Sequence, residues 1–247
     1  MSGSGFDYDS VSGDYQFRVM HTGPSLQRFW HRNKLQVIEH VLDVAPDHCV
    51  VEVGCGAGNL ILHAASCASR AIGVDISLAA LRFCQHRASD AGLGSVLFLL
   101  ASGSALPLLN DYADRIIFVE VIEHLERPQQ FLSELYRILK PGGQVFITTP
   151  NCRSLWPILE WALDRLNLTP KMVDEQHVSR FVPSSLAAAV QSAGFQVAQL
   201  GTFYTYSPLL QFLFSSLANR LVIRELNSAS QWGMLIYCLA TKPENKY

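Results

Sequence analysis

Cys49-Val50-Val51-Glu52-Val53-Gly54-Cys55-Gly56-Ala57-Gly58 is the stretch on which the fold turns. Its first five residues are an apolar, largely β-branched run closed by glycine, which predicts a buried strand. Three glycines at alternate positions follow. Glycine reaches positive φ and carries no Cβ, so this spacing predicts a backbone that bends sharply beneath a ligand. Leu60 to Ala68 suits the next helix, and Ala71-Ile-Gly-Val-Asp75 reads as a second strand. Asp75 stands seventeen residues past Gly58, at the strand end, where a carboxylate can accept both hydroxyls of a ribose. The competing reading is a plain strand-to-helix turn with Asp75 capping a helix.

Further strands and helices alternate outward from this core. A helix is expected from Ser25 to Val44, a helix capped by Ser77 and running to about Ala91, and strands at Val96–Leu100 and Ala113–Val119. A helix from Pro128 to Leu139 stops at Lys140-Pro-Gly-Gly143, before a strand at Gln144–Thr149. After Pro150 a helix over about Ser154–Leu166, a polar loop with His177, a helix at Pro183–Ala193 and strands at Phe195–Leu200 and Met234–Thr241 are expected. The fold class is therefore α/β: a Rossmann-like, seven-stranded, mostly parallel sheet with helices on both faces and helical lid insertions. Residues 1–24 read as a flexible arm and 25–247 as one domain, with a cofactor half at about 48–151 and a lid half at about 152–247.

Two cofactors share this logic. A dinucleotide site uses G-x-G-x-x-G with a pyrophosphate on the helix N-terminus. Here the spacing is G-x-G-x-G led by Glu52, which resembles motif I of class I S-adenosylmethionine-dependent methyltransferases. Gly73-Val-Asp-Ile-Ser77 resembles that family's acidic ribose motif, and Ala105-Leu-Pro107 its adenine-side loop. Asp114 to Leu125 resembles its fourth strand, and Leu139 to Asn151 its fifth. The resemblance implies a methyltransferase with S-adenosylmethionine held by Glu52, Gly54, Cys55, Gly56, Gly58, Asp75, Ile76, Ser102, Gly103, Ser104 and Glu120. One departure stands out: where the family usually places an acid before the adenine loop, this chain has Ser102, which accepts without charge assistance.

Methyl transfer needs a nucleophile in line with the methyl carbon, at the carboxyl ends of the strands. Glu120, Glu123 and His124 follow the fourth strand. In one reading Glu120, Glu123, His124 and His177 hold a divalent cation, magnesium, manganese or zinc, that lowers the pKa of an acceptor hydroxyl. This set resembles the metal site of small-RNA 2′-O-methyltransferases and that of ubiquinone-pathway O-methyltransferases, the latter sharing His177-x-x-x-Phe181-Val182. In the other reading His124 packs against the cofactor and no metal binds. Glu120, His124 and His177 are the catalytic candidates, while His31, His40, His48, His63 and His86 read as structural or surface residues.

The chain has 247 residues, a formal charge of −2, 49% hydrophobic and 16% charged residues. That balance offers no basic field for nucleic acid, so RNA is the less favoured acceptor. Six scattered cysteines without a C-x-x-C pair, and no secretory leader, suit reduced thiols in a cytoplasmic protein. Leu155–Leu163 and Phe203–Phe214 are unusually apolar. They fit a small hydrophobic acceptor, and equally a homodimer interface or a peripheral membrane contact, with Arg220 and Arg224 alongside. A cofactor-binding scaffold without activity is the remaining class.

Overall fold

The computed structural model describes residues 11–154, 178–211 and 214–244. Seven strands make one sheet: β1 Cys49–Val53, β2 Arg70–Asp75, β3 Val96–Leu100, β4 Ala113–Val119, β5 Leu139–Pro150, β6 Gln196–Phe203 and β7 Leu235–Thr241. Their order is β3-β2-β1-β4-β5-β7-β6. The first five pair in parallel, and β7 runs antiparallel to both its neighbours. The expected seven-stranded, mostly parallel sheet is what the chain forms.

Successive side chains of a strand face opposite ways, so each strand feeds two cores. Val50 and Phe146 join Phe29, Val37, Ile61 and Val222 on one face. Val51, Val53, Val145 and Ile147 join Leu132, Leu135 and Ile138 on the other. Those last three residues lie on one stripe of the helix α5, Pro128–Ile138, whose first position is proline. Burying each contributes about 1.5–3 kcal/mol.

The remaining described helices are α1 Tyr15–Thr22, α2 Ser25–Val41, α3 Ile61–Ala65, α4 Leu78–Asp90, α6 Pro183–Ser192, α7 Ser207–Leu210 and α8 Ser215–Leu226. Ser77 caps α4 as expected, its Oγ accepting from the N–H of Ala80 at 3.3 Å. Three differences from the sequence reading matter. The arm expected to Gly23 and Pro24 is helical over Tyr15–Thr22. The turn at Pro141-Gly142-Gly143 does not delay β5, which already pairs with β4 at Leu139 and absorbs the glycines through a register shift. The apolar stretch after Phe203 carries two helices, α7 and α8, where no element was assigned. The expected helix over Ser154–Leu166 lies, from Leu155 on, outside the described residues, as does His177. Among the described residues no helix is long and apolar enough to cross a membrane.

Candidate active site

The glycine loop leaves β1 at the centre of the sheet. Gly54, Gly56 and Gly58 take φ of +79°, +48° and +76°, all in the left-handed region. A Cβ on Gly54 would overlap Val121 Cγ2, and one on Gly58 would lie 2.8 Å from Cys84 Sγ, so both positions exclude side chains on space as well as on φ. The loop amides are held from two sides. Gly54 and Cys55 donate to Val74 O, and Gly56 donates to Asp75 Oδ2 at 2.7 Å. Asp75 Oδ1 accepts from Ser77 N at 2.9 Å. The carboxylate predicted for a ribose thus stands at the end of β2, tied to the loop beside it.

Glu52 is 3% exposed, and its Oε2 has no hydrogen-bond partner among the described residues. Burial pushes its pKa well above the usual carboxylate range, with Cys84 and Asp75 adding to the rise against a backbone hydrogen bond from Ile61. Cys55 is buried and free, as a filler would be. At the end of β3, Ser102 and Ser104 share a hydrogen bond of 2.9 Å between hydroxyls. Gly103 sits where a Cβ would press on Phe131 and Val53 at 2.8 and 2.9 Å. Ile76, 45% exposed, follows Asp75, whose carbonyl accepts from Ala101 N, so Ile76 and Ser102 stand on adjacent strand ends. The sequence reading missed what braces this loop: Glu134 accepts from Leu106 N at 2.9 Å, and Arg137 donates to Leu106 O and Leu108 O.

An orphaned buried carboxylate oxygen, a loop that only glycine fits, an acid at the next strand tip and an exposed isoleucine beside two hydroxyls match the parts of a methyl donor: ammonium, main-chain contact, ribose and adenine. The residues fit S-adenosylmethionine.

A second cluster forms where β4 ends. Glu120 takes φ +52°, and its amide donates to Thr148 O at 3.1 Å. Its Oε1 accepts from Trp30 Nε1 at 3.1 Å, and its Oε2 forms an ion pair with Lys34, whose side chain is 8% exposed. Burial pushes the Glu120 pKa up, but the charge and hydrogen bond of Lys34, with the hydrogen bond from Trp30, outweigh it and hold the group below its ordinary value. Glu123 is the opposite case. Burial first, then the Glu120 charge, push it up to about 8, and Thr149 Oγ1 lies 3.2 Å from its Oε2. His31 falls to about 3, through burial and the charge of Lys34, so its ring is neutral.

Trp30, His31 and Lys34 come from α2, about ninety residues before β4 ends. His31 was expected as a structural or surface residue, and Lys34 was not expected at the site at all. Lys34 had a signal: it lies on the apolar stripe of Phe29, Val37, Ile38 and Val41, where a lysine is unusual unless paired.

The four-residue metal set is not assembled by the described residues. His177 lies outside them, and no group of three or more His, Cys, Asp or Glu that could hold a metal occurs among them. Glu120 already has its cation in Lys34, and Glu123 is a protonated acid at neutral pH. His124 ends the short 3₁₀ turn Ile122–His124, half-buried beside these carboxyls. The chain beyond the undescribed segment is stitched to the same turn, with Ser179 N donating to Glu123 O and Ser179 Oγ to Leu125 O.

A family model described as a methyltransferase domain matches residues 25–200. A ubiquinone biosynthesis O-methyltransferase of Burkholderia thailandensis is 30% identical over 167 residues, covering 66% of this chain and 71% of that protein. A probable S-adenosylmethionine-dependent methyltransferase of Mycolicibacterium smegmatis is 28% identical over 185 residues, 74% of this chain; the match spans 65% of that relative's length. The solved structure of a SAM-dependent methyltransferase of Thermotoga maritima, described as a possible histamine N-methyltransferase, superposes with a TM-score of 0.64. It is 19% identical and covers 95% of this chain and 97% of that one, a likeness of fold alone. The chain belongs to the methyltransferase-domain family, a class of S-adenosylmethionine-dependent enzymes.

Proposed function

We propose that the protein transfers the methyl group of S-adenosylmethionine to a hydroxyl of a small, fairly apolar compound. The sulfonium of the donor supplies both the methyl group and its own leaving group, so the chain's task is to position the acceptor, keep water out and take a proton. The observation that carries the reading is the pairing of the donor loop with an enclosed charged cluster at the end of β4. Trp30, Lys34 and Glu120 there form a wall of fixed charge and aromatic surface, and His124 stands beside it. His124 and His177 are the residues proposed to take the hydroxyl proton, and Glu120 is proposed to orient. The ubiquinone-pathway relatives at about 30% identity support an oxygen acceptor. Exposed Tyr206, Leu209, Phe214 and Leu217 around α7 and the start of α8 support an apolar one. The same apolar face, next to Arg220 and Arg224, suits contact with a lipid surface or with a second copy.

The second reading is metal-dependent methylation of an RNA ribose, favoured by Glu120-x-x-Glu123-His124. The charge of −2 and the use of Glu120 by Lys34 count against it. A screen of methyl transfer to phenols, amines and short RNAs, with and without chelator, separates the readings. The expected outcome is turnover of apolar hydroxyl compounds at a rate that chelator leaves unchanged. Turnover of amines only, or of RNA with loss of activity in chelator, would sink the proposal. No turnover with intact donor binding would favour the scaffold.

A further inference from the structure

The helix α1 lies on the glycine loop, and nothing in the sequence reading gave it a role. Beyond its packing on α2 and the Phe17–Phe83 ring contact at 5.6 Å, three contacts tie this segment to the loop and to α4. Gln16 Oε1 accepts from the N–H of Ala57 at 3.3 Å. The Phe17 ring lies 4.4 Å from the guanidinium of Arg87, which donates to Ala57 O at 2.6 Å and to Asn59 Oδ1 at 2.8 Å. Gly13 packs so closely on the Ala79 backbone, at the start of α4, that a Cβ there would overlap it. No residue of α1 is fully buried, so the helix is attached by these ties and not by a core of its own.

The position of the Gln16 carboxamide is informative. It covers Gly56 so closely that a side chain at 56 would collide with it, and its Nε2 is 2.9 Å from where that Cβ would be. Its oxygen is spent on Ala57, while no hydrogen bond from its two amide hydrogens is recorded among the described residues. The loop therefore has an acceptor and a donor close by: Glu52 Oε2, buried without a hydrogen-bond partner among the described residues, in the strand that leads into it, and the exposed Gln16 carboxamide, whose Nε2 lies over Gly56. The amino-acid end of S-adenosylmethionine is the complement of that pair, since it carries an ammonium and a carboxylate on one carbon. Arg87 is already committed to the loop carbonyl and to Asn59.

We propose that Gln16 is a donor-binding residue, giving its amide hydrogens to the carboxylate of the methyl donor opposite Glu52, with α1 as a wall of the donor site. This rests on S-adenosylmethionine being the donor, and the test keeps the two ideas apart. Calorimetry would compare wild-type protein with Gln16→Ala, using S-adenosylhomocysteine and 5′-methylthioadenosine, which lacks the amino-acid end. Gln16 is exposed, so the substitution leaves the cores untouched. The expected result is a loss of about tenfold for S-adenosylhomocysteine, the size of one hydrogen bond to a charged group, with 5′-methylthioadenosine unchanged. Gln16→Glu, which sets a carboxylate against a carboxylate, should lose more for the first ligand and again nothing for the second. An unchanged affinity for S-adenosylhomocysteine would overturn the proposal, as would equal losses for both ligands, which would mean that α1 only shapes the loop. If the wild-type protein bound neither ligand, the donor assignment itself would fall, and this proposal with it.

Discussion

Two glutamates near strand ends, Glu52 buried and Glu120 partly exposed, behave in opposite ways. Glu52, next to last in β1, has one oxygen without a hydrogen-bond partner and no ion pair among the described residues, and burial drives it towards the neutral acid. Glu120 follows β4 with Lys34 on one oxygen and the Trp30 indole on the other, and remains a carboxylate although it is partly buried. The first site is incomplete and awaits a positive group from outside; the second is complete within the chain. A buried charge is tolerated when its partner is close, and an unpaired group goes neutral instead. On the proposed function, Glu52 is left open to a ligand ammonium, whereas Glu120 is held by residues of the chain itself.

The sharpest way to break this contrast is to remove Lys34. Lys34→Met leaves the Glu120 carboxylate without its cation, and a loss of about 2–4 kcal/mol in urea unfolding is expected. Adding Glu120→Gln to the same chain should restore more than half of that loss. If the single variant is as stable as wild type, Glu120 is not the completed site described here.

A smaller effect comes from Glu123. Its pKa in the folded protein is raised to about 8, so the folded state holds a proton that the unfolded chain releases near pH 4 to 5. The stability this contributes is fully present below the unfolded pKa and is lost as pH rises through about 8, with a slope of at most about 1.4 kcal/mol per pH unit. Glu123→Gln keeps the shape without the titration, and its unfolding free energy should lack that slope between pH 5 and 8. An unchanged slope would place the buried proton elsewhere.

The smallest stability effect belongs to Glu52. Glu52→Gln replaces a neutral acid with a neutral amide, and a change within about 1 kcal/mol is expected. Donor affinity, in contrast, should fall about tenfold and lose its dependence on pH, since the amide cannot become the anion that an ammonium prefers. A large loss of stability with donor affinity intact would reverse the roles assigned to Glu52 and Glu120.

The donor half was readable because its chemistry is local in sequence. Strand, glycine turn and acid follow one another between Val50 and Asp75, and the φ values and space around Gly54 and Gly58 leave no choice of residue. The acceptor end was not readable in the same way. Trp30 and Lys34 meet Glu120 from 90 and 86 residues away, and no periodicity links them. The Glu-x-x-Glu-His pattern suggested a metal, because spacing shows which carboxyls are near one another and not which cation balances them. The fold around Tyr204 was hidden for a similar reason. Tyr204 has φ +63°, and the carboxylate of Glu225 accepts from the amides of Tyr204, Tyr206 and Ser207 and from the Ser207 hydroxyl. Side-chain replacement of missing backbone partners of this kind leaves no pattern in the residues it serves. For α1, an eight-residue helix with no buried stripe, the sequence offered no periodic signal either.

The placement of β7 has a consequence in time. Among the described residues it is the last strand, yet it lies between β5 and β6 and is the only strand paired with β6. During synthesis β1 to β5 can assemble in parallel as soon as they leave the ribosome. Meanwhile β5 keeps an open edge and β6 has no strand to join. Only when Leu235–Thr241 arrives can β6 be joined to the rest of the sheet. A nascent chain halted before that point holds its donor loop on a sheet whose edge is β5, a strand that the finished protein keeps in the interior.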